Sequence, residues 1–226
     1  MNEPIVRLTT SSTVYDRIRD DILAGSLAPG LKLRIEFVCE RYGIGASPVR
    51  EALNRLSSEG LVERRDQRGF YVSQVSLAQL AELVKTRCWL EGIAVRESIL
   101  HRTVAWEEGV VLAFHRLSRT PRSLDPASYS FNPDWEERHR EFYHALIANC
   151  GSSWLLGFCR DMRDQADRYR RLAAARVYPA RQGPDEHREI MDAAIDGEVE
   201  RAVDLLQRHY QKTLTIIETD FAAAAD

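Results

Sequence analysis

Apolar positions keep one rhythm as far as residue 76 and another beyond it. Val14, Ile18, Ile22 and Leu23 recur at helical spacing, in a helix capped by Ser12 or Thr13 that stops at Ala24-Gly25. SLAPG then turns the chain at Pro29 and Gly30. A second helix is predicted over Ile35 to Tyr42, with Phe37 and Val38 inward, and it ends at Gly43. After the tight Ile44-Gly45-Ala46 turn, Ser47 reads as a cap and Pro48 as the first helical position. The third helix runs from Pro48 to Glu59 with Val49, Leu53 and Leu56 on its inner face. Two short β-prone runs follow, one beginning at Leu61 and one at Phe70, and Asp66-Gln67-Arg68-Gly69 joins them into a hairpin with a basic tip.

Beyond Ser76 the strands disappear. Helical periodicity covers roughly 77–100, 104–118, 134–150, 153–175, 185–196 and 198–221. The breaks hold the expected breakers: Thr120-Pro121, the stretch from Asp125-Pro126 to Asn132-Pro133, Gly151-Ser152, Pro179 to Pro184, and Gly197. The predicted fold class is mainly α. A winged helix-turn-helix over residues 1–75 precedes an all-helical antiparallel bundle over 76–226.

Composition narrows the picture modestly. A chain of 226 residues accommodates two domains, and 44% hydrophobic with 29% charged residues is a globular balance. No apolar run approaches a membrane span, and the N-terminus lacks the marks of a signal peptide. Cys39, Cys88, Cys150 and Cys159 show no CxxC spacing, so they read as reduced thiols of a cytoplasmic protein rather than a disulfide frame or zinc knuckle. The net charge of −3 gives no hint of nucleic acid. Residues 1–76 carry 11 Lys and Arg against 10 acids, and the remainder 20 against 24. The argument for DNA rests on placement.

Helix, helix, short turn, helix and basic hairpin is the order in which one helix enters the major groove and a wing touches the adjacent backbone or minor groove. Arg50 and Asn54 lie on the face away from Val49, Leu53 and Leu56 and point outward, with Arg50 placed to reach a guanine edge or a phosphate. Arg34, Ser47 and the third helix's N-terminus suit phosphate oxygens. Arg64, Arg65 and Arg68 charge the wing. One recognition helix reads few base pairs, so a homodimer on a pseudo-palindromic double-stranded operator is expected.

VYDRIRDDILAGSLAPGLKL, then CERYGIGASPVREALNRLSSEGLVERRDQRGFYV, resembles the DNA-binding domain of the GntR family of bacterial regulators. The helical remainder resembles the FCD ligand domain of its FadR subfamily, so the resemblance spans nearly the whole chain. It implies that Arg34, Arg50 and the wing's Gly69 contact DNA. Ala46 stands where the family often has Arg, which moves or removes one contact.

Within the bundle, Leu80, Val84, Arg87, Glu91, Ala94 and Ser98 form an inward stripe. Arg87 either pairs with Glu91 one turn away or meets the carboxylate of a ligand, and the resemblance favours the ligand. His139 shares a face with Tyr143, Leu146 and Cys150; His187 precedes Ile190 and Met191; His209 falls on a stripe with Leu206 and Thr213. Imidazoles converging from separate helices suit a divalent metal, Zn or Ni. The family more often has D-x-x-F-H where this chain has His139 to Tyr143 in HREFY, so three imidazoles remain and Tyr143 replaces the fourth ligand. The alternative is a metal-free polar pocket. Gln165 and Tyr169 are further candidates for the pocket, with Arg168 flanking it. His101, His115 and His144 read as surface residues. CGSSWLL and QADRYR resemble the branch containing the carbon-starvation-induced, glutarate-responsive repressor, which implies a small carboxylate effector.

Two rival readings remain. A metal-dependent enzyme built on the His cluster lacks HExxH, a nucleophile–base pair and a phosphate loop, and leaves residues 13–73 without a purpose. A helical adaptor would fill the inward stripe with apolar residues.

Overall fold

The computed structural model describes residues 10–223, apart from 126, 128 and 178–183. The expected break at Pro179 to Pro184 lies largely outside the described residues. The chain forms two compact units that divide between Ser76 and Leu77.

The first unit contains α1 (Thr10–Leu23), β1 (Lys32–Leu33), α2 (Ile35–Tyr42), α3 (Ala46–Ser58), β2 (Val62–Arg65) and β3 (Gly69–Val72). Its core is one apolar cluster in which Val14, Ile18, Ile22, Val38, Val49, Leu53 and Leu56 are buried with Leu33, Val62 and Val72. Fully burying each such side chain contributes about 1.5–3 kcal/mol, which offsets the cost of ordering so short a chain. The sheet is antiparallel in the order β1-β3-β2, with Lys32 opposite Tyr71 and Arg65 opposite Gly69. β1 was not expected, because two residues are too few to show an alternating pattern.

Three local expectations are corrected. α1 begins at Thr10, ahead of the anticipated cap. Phe37 is 38% exposed while Val38 is fully buried, so α2 turns only one of the adjacent pair inward, as a period of 3.6 residues requires. α3 starts at Ala46, and Gly45 occupies the cap position without a side-chain hydrogen bond. Ser47 therefore sits in the first helical turn and does not cap it.

The second unit is all helical apart from one isolated bridge: α4 (Leu77–Leu100), α5 (Val104–Arg119), α6 (Pro133–Ile147), α7 (Ser153–Val177), α8 (Pro184–Ile195) and α9 (Val199–Ala223). α4 packs against α7 and α9, α5 against α6 and α8, and α8 against α9. Thr103 caps α5 by accepting from the Trp106 amide. Asn132 caps α6 by accepting from the Asp134 amide at 3.1 Å, with Pro133 behind it. The same Asn132 donates to the Pro121 carbonyl at 2.6 Å, and Ser123 bridges Phe131, so the connection into α6 is pinned at both ends. No helix among the described residues is long and apolar enough to cross a membrane.

Candidate DNA-reading groove and effector cavity

In the first unit, a groove of about 440 Å³ runs between α3 and the wing. Its lining brings together Arg34, Arg50, Asn54, Arg64, Arg65 and Gly69 from the predicted set, and adds Lys32 and Gln67. Val49, Leu53 and Leu56 fix the rotation of α3, which leaves Arg50 and Asn54 exposed along the opposite side. Ser47 and Arg68 are also exposed but do not line the groove.

At the wing tip the Arg68 amide donates to the Arg65 carbonyl at 3.0 Å. Gln67 occupies the third turn position with φ 56°, and Gly69 follows at φ 90°. A positive φ is strained for a residue with a Cβ, at roughly 1–3 kcal/mol, so the tip keeps a glutamine where glycine would be easier. Arg65 is not wholly available to solvent: Glu63 holds it at 3.0 Å and its guanidinium lies 4.4 Å from the Tyr71 ring centroid.

In the second unit, His139 of α6, His187 of α8 and His209 of α9 are buried, and each offers a ring nitrogen within 4.8 Å of the others. His139 and His187 rings are 5.3 Å apart, and His187 and His209 rings 5.0 Å. Tyr143, one turn after His139, lies 5.8 Å from the His209 ring. His209 Nδ1 donates to Glu186 Oε2 at 2.7 Å, which leaves Nε2 with its lone pair for the cluster.

Beside the imidazoles lies a small, partly open cavity of about 30 Å³, lined in part by Arg87, His139, Tyr143, Arg163, Arg170 and His209. Arg87 donates through Nε to Glu91 at 2.9 Å and stacks 4.0 Å over the Tyr210 ring. Tyr210 donates to the other Glu91 oxygen at 2.5 Å. Burial alone would raise the Glu91 carboxyl's pKa, but Arg87, Arg163 and the Tyr210 hydroxyl hold it below its ordinary value. Burial likewise opposes the charge on Arg87, and Glu91 more than restores it. Arg87 therefore pairs with Glu91 and also lines the cavity.

A second charged layer sits next to it. Arg170 grips Glu136 through both terminal nitrogens and reaches Asp167 at 3.1 Å. Arg163 donates to the Arg140 carbonyl at 3.3 Å and lies 3.8 Å from Glu91. Its Nε and Nη2 are buried and make no hydrogen bond among the described residues. Among those residues, Arg87, Arg163, Arg168 and Arg171 are buried against three buried carboxylates, Glu91, Glu136 and Asp167.

Residues 10–72 match the bacterial regulatory proteins of the gntR family, and residues 82–212 match the FCD domain. The chain belongs to the GntR family. Its FCD domain places it with the effector-domain branch expected from the sequence. The HTH-type transcriptional regulator BphR of Paraburkholderia xenovorans is 40% identical over 204 residues, 90% of this chain and 83% of that protein. The HTH-type transcriptional repressor GlaR of Escherichia coli is 31% identical, covering 94% of this chain and 98% of that one. The E. coli protein McbR/YncC shares the fold with a TM-score of 0.72 at 19% identity, covering 95% of this chain and all (100%) of that one. A GntR-type regulator from Rhodococcus sp. RHA1 does so at 0.72 and 21%, covering 92% and 97%.

This GntR-family protein is a DNA-binding transcriptional regulator, and the family and relatives are regulators rather than enzymes. The structure brings Arg87, Glu91, Tyr143 and the three histidines into one neighbourhood, as the inward stripes implied. It does not bring Gln165 or Tyr169 to the cavity: Gln165 is half-buried and Tyr169 buried, and neither is in its lining. In their place α7 offers Arg163, Ala166, Asp167 and Arg170. Arg163 and Arg170, about two turns apart on an arginine-rich helix, have the pattern of a solvated face, so the sequence does not mark them as cavity residues. His101, His115 and His144 are exposed, as expected.

Proposed function

We propose that the chain is a cytoplasmic, homodimeric repressor whose grip on double-stranded operator DNA is set by a small carboxylate held in the α4/α6/α7/α9 cavity. The observation that carries this reading is the set of inward guanidiniums at one small cavity, Arg163 with hydrogen-bonding capacity left over, beside three convergent imidazoles. Guanidinium forks match carboxylates geometrically and supply charge-assisted hydrogen bonds.

His139, His187 and His209 suit Zn²⁺ or Ni²⁺, with Glu186 fixing the tautomer of His209 and a coordination position left open. Such an ion would supply a Lewis-acidic seat for a carboxylate oxygen. Arg87 and Arg163 orient the acid, and Tyr143 and Tyr210 close around it. At about 30 Å³ the void takes water rather than an organic acid, so a bound effector must repack the side chains around it. Binding energy thus acts on helix packing, beginning with α4, the helix that follows the wing in the chain.

On the DNA side, Arg50 and Asn54 read base edges; Arg34, Ser47, Arg64, Arg65 and Arg68 hold phosphates; and Gly69 lets the wing approach the backbone.

The test is a gel-shift titration on the protein's operator, with a panel of mono- and dicarboxylates, in buffers containing Zn²⁺, Ni²⁺ or a chelator. At least one acid should change operator affinity in the wild type and not in Arg163→Gln. If no acid alters either DNA affinity or thermal stability, with or without metal, the cavity is not a sensor.

A further inference from the structure

The walls of the effector cavity are of two kinds, and they are segregated along the helices. On α4 the lining residues Leu80, Val84 and Arg87 follow an i, i+4, i+7 spacing, and on α9 Tyr210, Leu214 and Ile217 follow i, i+4, i+7 as well. The two helices run antiparallel. From Glu200 to Gln207 to Tyr210 along α9, the partners on α4 step back from Arg96 to Cys88 to Arg87. Beyond the Arg87–Tyr210 stack, α4 therefore continues as Val84 and Leu80, while α9 continues as Leu214 and Ile217. Seven residues of helix carry Leu80 and Ile217 about 10 Å past that stack. All four aliphatic side chains are buried, and Ala166 of α7 adds a fifth apolar wall.

The groups able to hold an anion gather at the other end. The Tyr210 ring touches those of His209 and Tyr143, and the Arg163 guanidinium lies 5.9 Å from the Tyr143 ring centroid. Arg87 and Arg163 both pair with one carboxylate, Glu91, which leaves one guanidinium charge for an anionic head. Arg163 also has Nε and Nη2 buried without a hydrogen bond among the described residues. Arg170 lines the cavity too, but both of its terminal nitrogens are taken by Glu136 and Asp167, two carboxylates that repel a second anion.

We infer that the effector is an amphiphilic monocarboxylate, its single anionic head seated among Arg163, Arg87 and the imidazoles and its hydrocarbon body lying between α4 and α9 toward Leu80 and Ile217. The inference rests on the carboxylate-sensor reading above and sharpens it. A dicarboxylate reaching along the cavity has two places for its far charge. Among the aliphatic side chains nothing offsets the lost hydration, and beside Arg170 the charge meets Glu136 and Asp167. The size of the cavity points the same way. At about 30 Å³ it must open to admit any acid, and its ends do not open with equal ease. Parting the polar end breaks the hydrogen bonds of Arg87 and Tyr210 to Glu91, whereas Leu80, Val84, Leu214 and Ile217 give way by changing rotamer.

The experiment is calorimetric titration of the full chain with two series matched in carbon number: butanoate, hexanoate and octanoate against succinate, adipate and suberate, in Zn²⁺ and again in chelator. We expect hexanoate to bind about tenfold or more tightly than adipate. Each added methylene of the monoacids should tighten binding about threefold until the apolar end is full. Their binding heats should also grow more exothermic with temperature, the mark of buried hydrocarbon. Ile217→Ala should move the optimum to a longer acid, and Arg163→Gln should weaken every monoacid by one common factor. Should a variant fail to fold, the wild-type series decides alone. Diacids that bind as tightly as their matched monoacids, or monoacid affinity that ignores chain length, overturn the inference and leave the carboxylate reading standing. If no acid of either series produces heat or shifts thermal stability, in Zn²⁺ or in chelator, the carboxylate reading falls and this inference with it.

Discussion

Glu186 holds His209 from across a helix boundary: the carboxylate on α8 accepts from the imidazole on α9 at 2.7 Å, and the Lys212 ammonium grips its other oxygen. Three residues on two helices therefore fix the orientation of one ring. Replacing the carboxylate should loosen that ring without removing a ligand nitrogen. Glu186→Gln is expected to lower Zn²⁺ affinity by about 10–100-fold, read by chelator competition. Unchanged affinity would mean that His209 does not hold the ion.

Arg50→Ala should erase operator preference, because a base-edge contact provides on the order of 1–3 kcal/mol of discrimination. Arg64→Ala should weaken binding to every sequence and reduce the salt slope by about one. Arg65→Ala should do less than Arg64→Ala, since Glu63 and the Tyr71 ring already engage Arg65. Gel shifts at several salt concentrations separate the three. Full operator preference in Arg50→Ala would dismiss α3 as the reading helix.

The Arg87–Glu91 pair is buried, and breaking one side of such a pair leaves a charge in a poor medium. Arg87→Ala is expected to destabilise the helical unit by about 3–5 kcal/mol. Arg87→Met/Glu91→Leu should cost far less than the two single changes combined. Urea denaturation of the three variants measures the coupling. Additive losses would show that Tyr210 and Arg163 already compensate Glu91.

Glu91 and Asp167 carry carboxyls held below their ordinary pKa values, burial being outweighed in both by neighbouring arginines. A carboxyl depressed in the folded state contributes stability above its unfolded value and loses it as pH falls through the folded one. Stability of the helical unit should therefore hold from neutral pH down to the ordinary values of 4.5 and 3.8, then fall as these two groups protonate. Urea midpoints across that range are the measurement, and Asp167→Asn should flatten the decline.

The helical boundaries were legible because each break carries a proline, glycine or capping residue, and the core of the first unit because Val49, Leu53 and Leu56 repeat at helical spacing. The three histidines were legible for the same reason. Periodicity fixes which face a residue occupies but not what stands across from it. Hence Glu186, opposite His209, could not be read from the sequence. Tyr169 does turn inward and Gln165 partly so, but the cavity is lined from α7 by Arg163, Ala166, Asp167 and Arg170, and a helix rich in arginine shows no clear apolar stripe from which to tell the residues that reach a cavity from those buried beside it. β1 was too short to leave a pattern.

The helical unit hides an excess of guanidinium inside an otherwise acidic sequence, with 20 Lys and Arg against 24 acids from residue 76 onward. An anion bound for that interior approaches a like-charged rind before it meets an attractive centre. Added salt screens both, by a Debye length of about 10 Å at 0.1 M, but it screens the exposed rind more than the enclosed arginines. Ionic strength should thus speed the anion's arrival more than it hastens its departure, giving the unit a kinetic gate made of nothing but the sign of its surface.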